Sequence, residues 1–273
     1  MRNAARQNRL LAALPDADLQ RLLPHLAPRK FDSGELLGGA GGTHGPAVFP
    51  TSMVVSMQVG ADAAPGLEIA LIGSEGVVSP PLGECTNALR PVVLQPGWGF
   101  ALSPATPMAE LMAEPLTRLL LRFSQALLLQ AAITAACARR HSVGQQVCRW
   151  LLQRLDRTDT CELAVTQASL AATLGVRRAA VNAAAGELRD EGLIGWSRGR
   201  LTVRDPAGLD RRACNCHGLI AGEYRRLLPL PPDGHSMGAS SGPDSSGPNS
   251  TFTEPKGEGN AGGEGGIRTH VTA

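Results

Sequence analysis

The sequence TQASLAATLGVRRAAVNAAAGELRDEGLIGWSRGRLTV occupies residues 166–203 and decides the fold of this part of the chain. Thr166 is a typical N-cap residue, so we expect a first helix from Gln167. The apolar residues of this helix recur at the spacing of one buried face and are Leu170, Ala171 and Leu174. Gly175 then allows a tight turn, because glycine adopts left-handed backbone without a Cβ clash.

A second helix is predicted from about Arg177 to Glu191, and Gly192 would end it as a C-cap. The buried side of this helix is expected to consist of Val181, Ala184, Ala185 and Leu188. Residues 193–203 then form two short strands around a Ser-Arg-Gly turn. Two helices, a glycine turn and a hairpin in this order predict a winged helix-turn-helix, which places its second helix in the major groove of DNA.

The residues predicted to contact DNA are polar and lie on the free side of this motif: Gln167, Arg177, Arg178, Asn182, Arg198 and Arg200. Arg178 and Asn182 are expected to read base edges, since arginine forks onto guanine and asparagine pairs with adenine. The other four are expected to hold phosphates. A helical hairpin packed in a core is the alternative, but the glycine turn, the paired arginines and the arginine-tipped hairpin together favour double-stranded DNA as partner.

Positive charge is concentrated around this motif. The 273 residues carry a net charge of only +2, whereas residues 139–204 contain 11 arginines against 6 acidic side chains. Residues 1–138 and 205–273 are each slightly acidic. This distribution is the one that contact with phosphates requires.

Several classes of protein are disfavoured by composition. Six cysteines spread over a long chain do not form a disulfide framework, and the amino terminus has no apolar run typical of a secretory signal. The longest apolar helical segment, Phe123–Ala138, is shorter than a bilayer requires. We therefore predict a cytoplasmic protein that does not associate with a membrane.

The amino-terminal half changes pattern after an amphipathic helical opening over Asn8–Leu26. Between residues 28 and 103, Gly, Pro, Asn and Asp interrupt short apolar runs, which predicts an antiparallel barrel or roll. The predicted strands are residues 47–49, 53–59, 67–72, 92–95 and 99–102.

A long helix is predicted over Pro115–Ala138. Its apolar positions recur every three or four residues and are Leu116, Leu120, Phe123, Leu127, Gln130 or Ala131, Thr134 and Ala138. That spacing is typical of a coiled-coil seam between two identical chains, although the same stripe could pack on the strands of its own domain. A two-fold DNA site favours the homodimer.

Two further helices are predicted, over residues 142–155 and 209–228, and a tail rich in Pro, Gly and Ser follows. The predicted fold class is α+β, with an antiparallel β-roll, a long dimerisation helix and a carboxyl-terminal winged helix-turn-helix. The predicted domains are residues 8–114 (sensor roll), 115–138 (dimerisation helix), 139–229 (DNA-binding domain) and 230–273 (disordered tail).

In this order of elements the chain resembles the Crp/Fnr family of bacterial transcription regulators. The resemblance rests on NRLLAALP (8–15), VFPTSMVVS (48–56), IGSEGVV (72–78), CARRHSVGQQVCRWLL (137–152), LAATLGVRRAAVNAAAGEL (170–188) and ACNCHGLIAGEYRRLL (213–228). It implies a roll of the cyclic-nucleotide-binding type and a homodimeric, promoter-binding regulator that acts with RNA polymerase.

The chain departs from the family at the start of the recognition helix. Members that read the best-known operator begin that helix with Arg-Glu-Thr-Val, and here the run is Arg178-Ala179-Ala180-Val181. A carboxylate, a hydroxyl and, at Ala183, a further base-reading arginine are missing. The usual operator is therefore not expected.

The predicted effector site departs further. The nearest matches to the family's nucleotide-binding residues are Glu75 for a ribose hydroxyl and Arg90 for a phosphate. The gap between them is longer than in the family, and Pro91 removes a backbone donor beside the arginine. We therefore predict no cofactor and a vestigial pocket. A cyclic nucleotide bound at Glu75 and Arg90 is the alternative. No cysteine precedes Cys85, so the amino-terminal iron–sulfur ligands of oxygen-sensing members are missing from this sequence.

Cysteine and histidine residues occur close together in two parts of the sequence. Cys214, Cys216 and His217 could bind zinc, but the spacing is tight and no second ligand pair is near in sequence. Cys137, His141 and Cys148 lie at helical spacings and are interpreted as packing and polar residues, so no metal site is predicted.

The sequence predicts no catalytic residues and no enzyme, and the leading hypothesis is a DNA-binding transcription regulator. The alternatives are a nucleotide-sensing module whose winged helix contacts protein, and a thiol or metal enzyme at Cys214 and Cys216.

Overall fold

The computed structural model describes residues 1–38, 46–60, 66–79, 89–103, 105–107, 111 and 113–228. These residues lie in one compact unit. The predicted tail, residues 230–273, and Cys85 are outside the described residues.

Short helices open the chain: α1 (Arg2–Ala5), α2 (Arg9–Ala12), α3 (Asp16–Leu22) and a 3₁₀ turn (Leu23–His25). The predicted amphipathic opening is therefore divided. Asn8 caps α2 by accepting from the backbone N–H of Leu10 and Leu11 at 3.1 and 3.2 Å. Pro15, at the N-cap position of α3, starts a new helix because proline cannot continue the preceding one.

Within the described residues, the predicted antiparallel roll has six strands: β1 (Leu26–Phe31), β2 (Val48–Pro50), β3 (Val54–Val59), β4 (Leu67–Ile72), β5 (Leu89–Gln95) and β6 (Gly97–Leu102). They pair in two three-stranded sheets, in the orders β1-β6-β2 and β4-β3-β5. The core between them includes the fully buried Phe31, Phe49 and Met53. Strand β1 was not predicted because its four middle residues are exposed and show no apolar alternation.

A 27-residue helix, α4 (Glu114–Arg140), follows the roll. Five members of its predicted seam are buried within the same chain: Leu116, Leu120, Phe123, Gln130 and Thr134. Phe123 lies directly over Gly76, where an added Cβ would come within 2.3 Å of its ring. The stripe predicted as a coiled-coil seam therefore packs mainly on its own domain, which is the alternative that the sequence left open.

Helix α4 is longer than the apolar segment predicted from the sequence. By length and composition alone it could cross a bilayer, and among the described residues it is the one helix that meets both criteria. The expectation that this segment is too short is therefore wrong. A core helix meets the same criteria of length and composition, and α4 packs a buried face on the roll as a core helix does.

The carboxyl-terminal part contains α5 (Val143–Leu155), β7 (Glu162–Ala164), α6 (Gln167–Leu174), α7 (Arg178–Asp190), β8 (Ile194–Ser197), β9 (Arg200–Val203), α8 (Pro206–Arg212) and α9 (Cys216–Leu227). We call residues 143–212 the winged domain. It has its own core, in which Leu170, Val181 and Leu201 are fully buried. Strand β7 adds to the predicted hairpin and makes a three-stranded sheet of order β7-β9-β8.

The predicted single helix over residues 209–228 is wrong. It is divided into α8 and α9 because Ala213 adopts extended backbone, with φ −70° and ψ 159°. Helix α9 then turns back along α4, and its Ile220 and Tyr224 join the core of the roll. The end of the chain that follows the winged domain therefore packs against the amino-terminal half.

Candidate DNA interface

The first helix of the motif starts where the sequence predicts. Thr166 Oγ1 accepts from the backbone N–H of Ser169 at 3.0 Å, and Ser169 Oγ accepts from the backbone N–H of Thr166 at 3.0 Å. This reciprocal capping box satisfies two donors that a helix otherwise leaves without partners. It fixes Gln167 as the first residue of α6, with its side chain half-buried.

The turn between the two helices requires glycine for two reasons. Gly175 has φ +66°, the left-handed region that side chains disfavour. An added Cβ would also come within 2.8 Å of Leu67 Cδ1 on strand β4. The next residue, Val176, is half-buried against the core of the winged domain. The turn therefore sets the angle of the helices and also abuts the roll.

Helix α7 separates a buried face from an exposed one. Val181, Ala184, Ala185 and Leu188 are buried, which confirms the predicted apolar side. Arg178 and Asn182 are exposed on the other side, together with Ala179 and Ala183. Arg177 occupies the N-cap position instead of the first helical turn and is also exposed. The end of α7 that carries the predicted base-reading residues is thus open to solvent.

The arginines at this end are not neutralised by the protein. Among the described residues, no acidic side chain lies within ion-pair distance of Arg177, Arg178 or Arg198. An exposed guanidinium without a carboxylate partner keeps its donors for an external anion.

The hairpin between β8 and β9 has a two-residue loop. Ser197 pairs with Arg200, and the loop residues Arg198 and Gly199 have φ +49° and +79°. Positive φ at both positions is typical of a type I′ turn, which favours Asn-Gly and makes arginine unusual at the first position. Arg198 is therefore held at an exposed tip in a backbone conformation that arginine disfavours.

The wing is anchored close to its tip, where Trp196 Nε1 donates to the backbone oxygen of Val165 at 3.0 Å. Arg200 is exposed and lies 3.8 Å from Glu162 on β7. Exposed pairs at such distances contribute little to stability, so a phosphate could compete for this arginine.

The two predicted effector residues are not brought together. Glu75 is buried, and its Oε1 accepts from Arg157 Nε at 2.7 Å and from the backbone N–H of Gly73 at 3.2 Å. Arg90 pairs with Gln58 in β3, three residues from the β3 partner of Ile72, where β4 ends. Three residues of a strand span about 10 Å, so Arg90 and Ile72 are about that far apart along the sheet. Glu75 lies beyond Ile72, after the end of β4. The geometry gives no support to Glu75 and Arg90 as one nucleotide site, which stays a prediction.

Charged side chains between the roll and the winged domain were missed by the sequence analysis. Glu68 on β4 is buried, and its Oε2 accepts from Ser56 Oγ at 2.7 Å. Burial raises the pKa of Glu68, against the opposing effects of the Ser56 hydrogen bond and the nearby Arg149 and Arg154. Burial also lowers the pKa of Arg154 to about 10. Nothing local in the sequence marks these arginines as buried, because their partner is on a distant strand.

Comparison with known proteins identifies the winged domain. Residues 145–212 match the family model of the Crp-like helix-turn-helix domain. No curated protein matches the chain.

Solved structures match most of the chain at low sequence identity. A putative transcriptional regulator of the Crp/Fnr family from Eubacterium rectale is 15% identical, with 74% of this chain and 96% of that chain covered and a TM-score of 0.55. A CRP/FNR-family regulator from Thermus thermophilus is 18% identical, with 68% and 98% covered and a TM-score of 0.55. The c-di-GMP responsive global regulator CLP of Xanthomonas campestris is 16% identical, with 70% and 100% covered and a TM-score of 0.54.

These comparisons confirm the predicted resemblance to the Crp/Fnr family, through a Crp-like helix-turn-helix domain and the fold of Crp/Fnr regulators. They also confirm the predicted fold class. Together the domain and the fold support a DNA-binding regulator.

Proposed function

We propose that the chain is a cytoplasmic, sequence-specific regulator that binds double-stranded DNA as a homodimer and acts on transcription with RNA polymerase. Each protomer would place α7 in the major groove of one half-site. The observation that carries this proposal is the exposed amino-terminal end of α7, where Arg177 and Arg178 have no carboxylate partner among the described residues.

The base-reading residues would be Arg178 and Asn182, one helical turn apart on the exposed face of α7. Gln167 at the start of α6, Arg177 beside the groove and the wing residues Arg198 and Arg200 would hold phosphates on either side. The alanines at positions 179 and 183 carry no polar group, so few base positions would be read directly. We therefore expect a site specified mainly by the Arg178 and Asn182 contacts and by DNA shape.

The proposed dimer uses a different face of α4 from the predicted seam. The outer stripe of α4 consists of the solvent-facing residues Leu121, Gln125, Leu128, Ala132 and Ala135. These are spaced alternately four and three residues apart, which is the a and d pattern of a two-stranded coiled coil. Leu121 and Leu128 are 58% and 72% exposed. A second copy of α4 would cover them and would place two winged domains on one DNA duplex.

The DNA contacts are tested with Arg178→Ala on a site selected from random DNA. We expect affinity for that site to fall about 10- to 100-fold, and discrimination at one base position to be lost. Arg189→Ala is the matched control, because Arg189 is exposed at the opposite end of the same helix. An equal loss on selected and random DNA, or an equal loss in the control, would contradict the assignment.

The dimer is tested by sedimentation of Leu128→Glu at micromolar concentration. We expect a monomer, since two carboxylates would face each other across the seam. Affinity for a two-half-site duplex should then fall at least about 10-fold. Leu219→Glu is the control, because Leu219 is 52% exposed on α9 and lies off the outer stripe. A wild-type monomer, or a dimeric Leu128→Glu variant, would overturn the proposed interface.

The alternative of a winged helix that contacts protein predicts a different salt response. DNA binding through phosphates gives an affinity that falls steeply with salt, with a slope of about −0.9 per phosphate neutralised. A flat salt dependence would favour the protein-binding alternative.

A further inference from the structure

Four metal-ligating side chains meet where α4 ends. Cys137 and His141 are one helical turn apart at the end of α4, and Cys214 and Cys216 lie where α8 gives way to α9. The three sulfur atoms and a ring nitrogen of His141 all lie within 4.8 Å of one another. Between 73 and 79 residues separate the two pairs in sequence, so only the return of α9 along α4 brings them together.

The distances fit one small tetrahedral ion. With Zn–S bonds of about 2.3 Å and Zn–N bonds of about 2.0–2.1 Å, the edges of a tetrahedral site are about 3.8 Å between two sulfurs and about 3.6 Å between sulfur and nitrogen. Cys137 Sγ and Cys214 Sγ are 3.6 Å apart, and Cys216 Sγ and His141 Nδ1 are 3.6 Å apart. These two distances therefore match two opposite edges of such a tetrahedron.

The surroundings are those of a closed site. Cys137, Cys214 and Cys216 are buried and His141 is half-buried, which suits a structural ion better than one that keeps an open position for substrate. The backbone holds the histidine in place, because His141 N–H donates to the oxygen of Cys137 at 3.0 Å. Gln146 Nε2 donates to the oxygen of His141 at 3.0 Å.

A buried cation near the thiols supplies the charge that such a site needs. Three thiolates and a neutral imidazole around a divalent ion carry a net charge of −1, which is costly to bury without a counter-ion. Arg149 is 3% exposed, acts electrostatically on Cys137, and its Nε has no hydrogen-bond partner among the described residues. A guanidinium with an unused donor beside the cluster is what a thiolate-rich site would require.

We propose that Cys137, His141, Cys214 and Cys216 bind one Zn²⁺ ion per protomer as a structural site. The thiol groups lose three protons to solvent as the ion binds, and no electrons are exchanged. Because His141 ends α4 and Ser142 caps α5, the ion would tie the junction between the long helix and the winged domain to α9. The proposal replaces the sequence-based expectation of no metal, and it does not depend on DNA binding.

The full chain is purified under reducing conditions, and its metal content is measured. We expect about one zinc per protomer in the wild type and in Cys161→Ser, whose thiol is exposed outside the cluster. Cys216→Ser should lose the ion or bind it at least about 100-fold more weakly in competition with a chromophoric chelator. A chelator should lower the melting temperature of the wild type and leave that of Cys216→Ser unchanged.

Replacement of zinc by Co²⁺ in the wild type keeps the test independent of variants that fail to fold. We expect absorption bands characteristic of tetrahedral thiolate ligation, and weakened bands in His141→Ala. Three results would overturn the proposal. These are substoichiometric zinc with no cobalt spectrum, equal loss of zinc in Cys161→Ser and Cys216→Ser, or a native Cys137–Cys214 disulfide in peptide mass analysis.

Discussion

The buried ion pair between Glu75 and Arg157 joins the roll to the winged domain, and its removal should be among the most destabilising single changes. Arg157 Nε lies 2.7 Å from Glu75 Oε1, and the two side chains are only 5% and 6% exposed. Burial is the largest single effect and lowers the pKa of Arg157, but Glu75, Tyr224 and Asp156 together outweigh it, so the pKa is raised. We propose Arg157→Met, which keeps the length of the side chain and removes its charge.

The magnitude follows from what remains after the change. At 2.7 Å and an effective dielectric constant of about 20, the attraction is about 6 kcal/mol before the cost of taking both charges out of water. That cost is several kcal/mol per ion, so the intact pair contributes little in total. Removing one partner leaves Glu75 buried with the N–H of Gly73 as its remaining hydrogen-bond donor among the described residues. We expect the free energy of unfolding to fall by about 3–5 kcal/mol.

The assay is urea denaturation of the full chain, with Arg118→Met as the matched control. Arg118 forms an ion pair of 3.0 Å with Glu114, but both side chains are more than half exposed. Such pairs contribute about 0.3–0.5 kcal/mol. The double variant Glu75→Leu with Arg157→Met should recover most of the loss, because neither member of the pair is then left buried without the other. If Arg157→Met costs no more than Arg118→Met, or if the double variant is less stable than Arg157→Met, the buried pair does not act as described.

Three further predictions concern the turn, the wing and the buried carboxyl group. Gly175→Ala should lower the free energy of unfolding by about 2 kcal/mol, because of its positive φ and the contact with Leu67. In a Leu67→Ala background about half of that cost should remain, and calorimetry that finds no difference between the backgrounds would exclude the contact. Arg198→Asn should stabilise the fold by about 0.5 kcal/mol, since asparagine tolerates left-handed backbone, and should reduce the salt slope of DNA binding by about 1 per half-site. Loss of stability in this variant would contradict the strain described for the wing. Glu68 has a raised pKa, so its folded form holds a proton that the unfolded form has released, and stability should fall as the pH rises from about 4.5 toward the raised value. Glu68→Gln should flatten that decline in denaturation curves taken at several pH values, and an unchanged slope would refute the assignment.

The helix-turn-helix could be predicted in detail because its signals are local. The Thr166 N-cap, the left-handed Gly175 and the four buried residues of α7 each depend on neighbours within a few positions. Strands of the roll were predicted less fully, and β1 was missed because its middle residues are charged or exposed. Local spacing predicts which residues can share a face. This is sufficient to predict the packing of an element that has only one partner to pack against.

The long helix shows where local spacing is not sufficient. Its apolar residues surround much of the cylinder, so the sequence allowed the stripe through Leu120 to face either the roll or a second chain. The packing of the roll and α9 against α4 decided this and left the outer stripe, with Leu121 and Leu128, exposed. The proposed dimer face therefore follows from the structure, although the helix itself follows from the sequence.

By itself the sequence determined the winged helix-turn-helix, its exposed arginines and the α+β order of the chain, because caps, glycine turns and residue spacing act over one or two helical turns. Only the tertiary structure decided that Glu75 pairs with Arg157 and that Cys137 meets Cys214, because each pair is joined across 77 or more residues by the way whole elements pack. Contacts of that kind depend on the three-dimensional arrangement of helices and sheets. The pattern of neighbouring residues in the sequence does not reveal that arrangement.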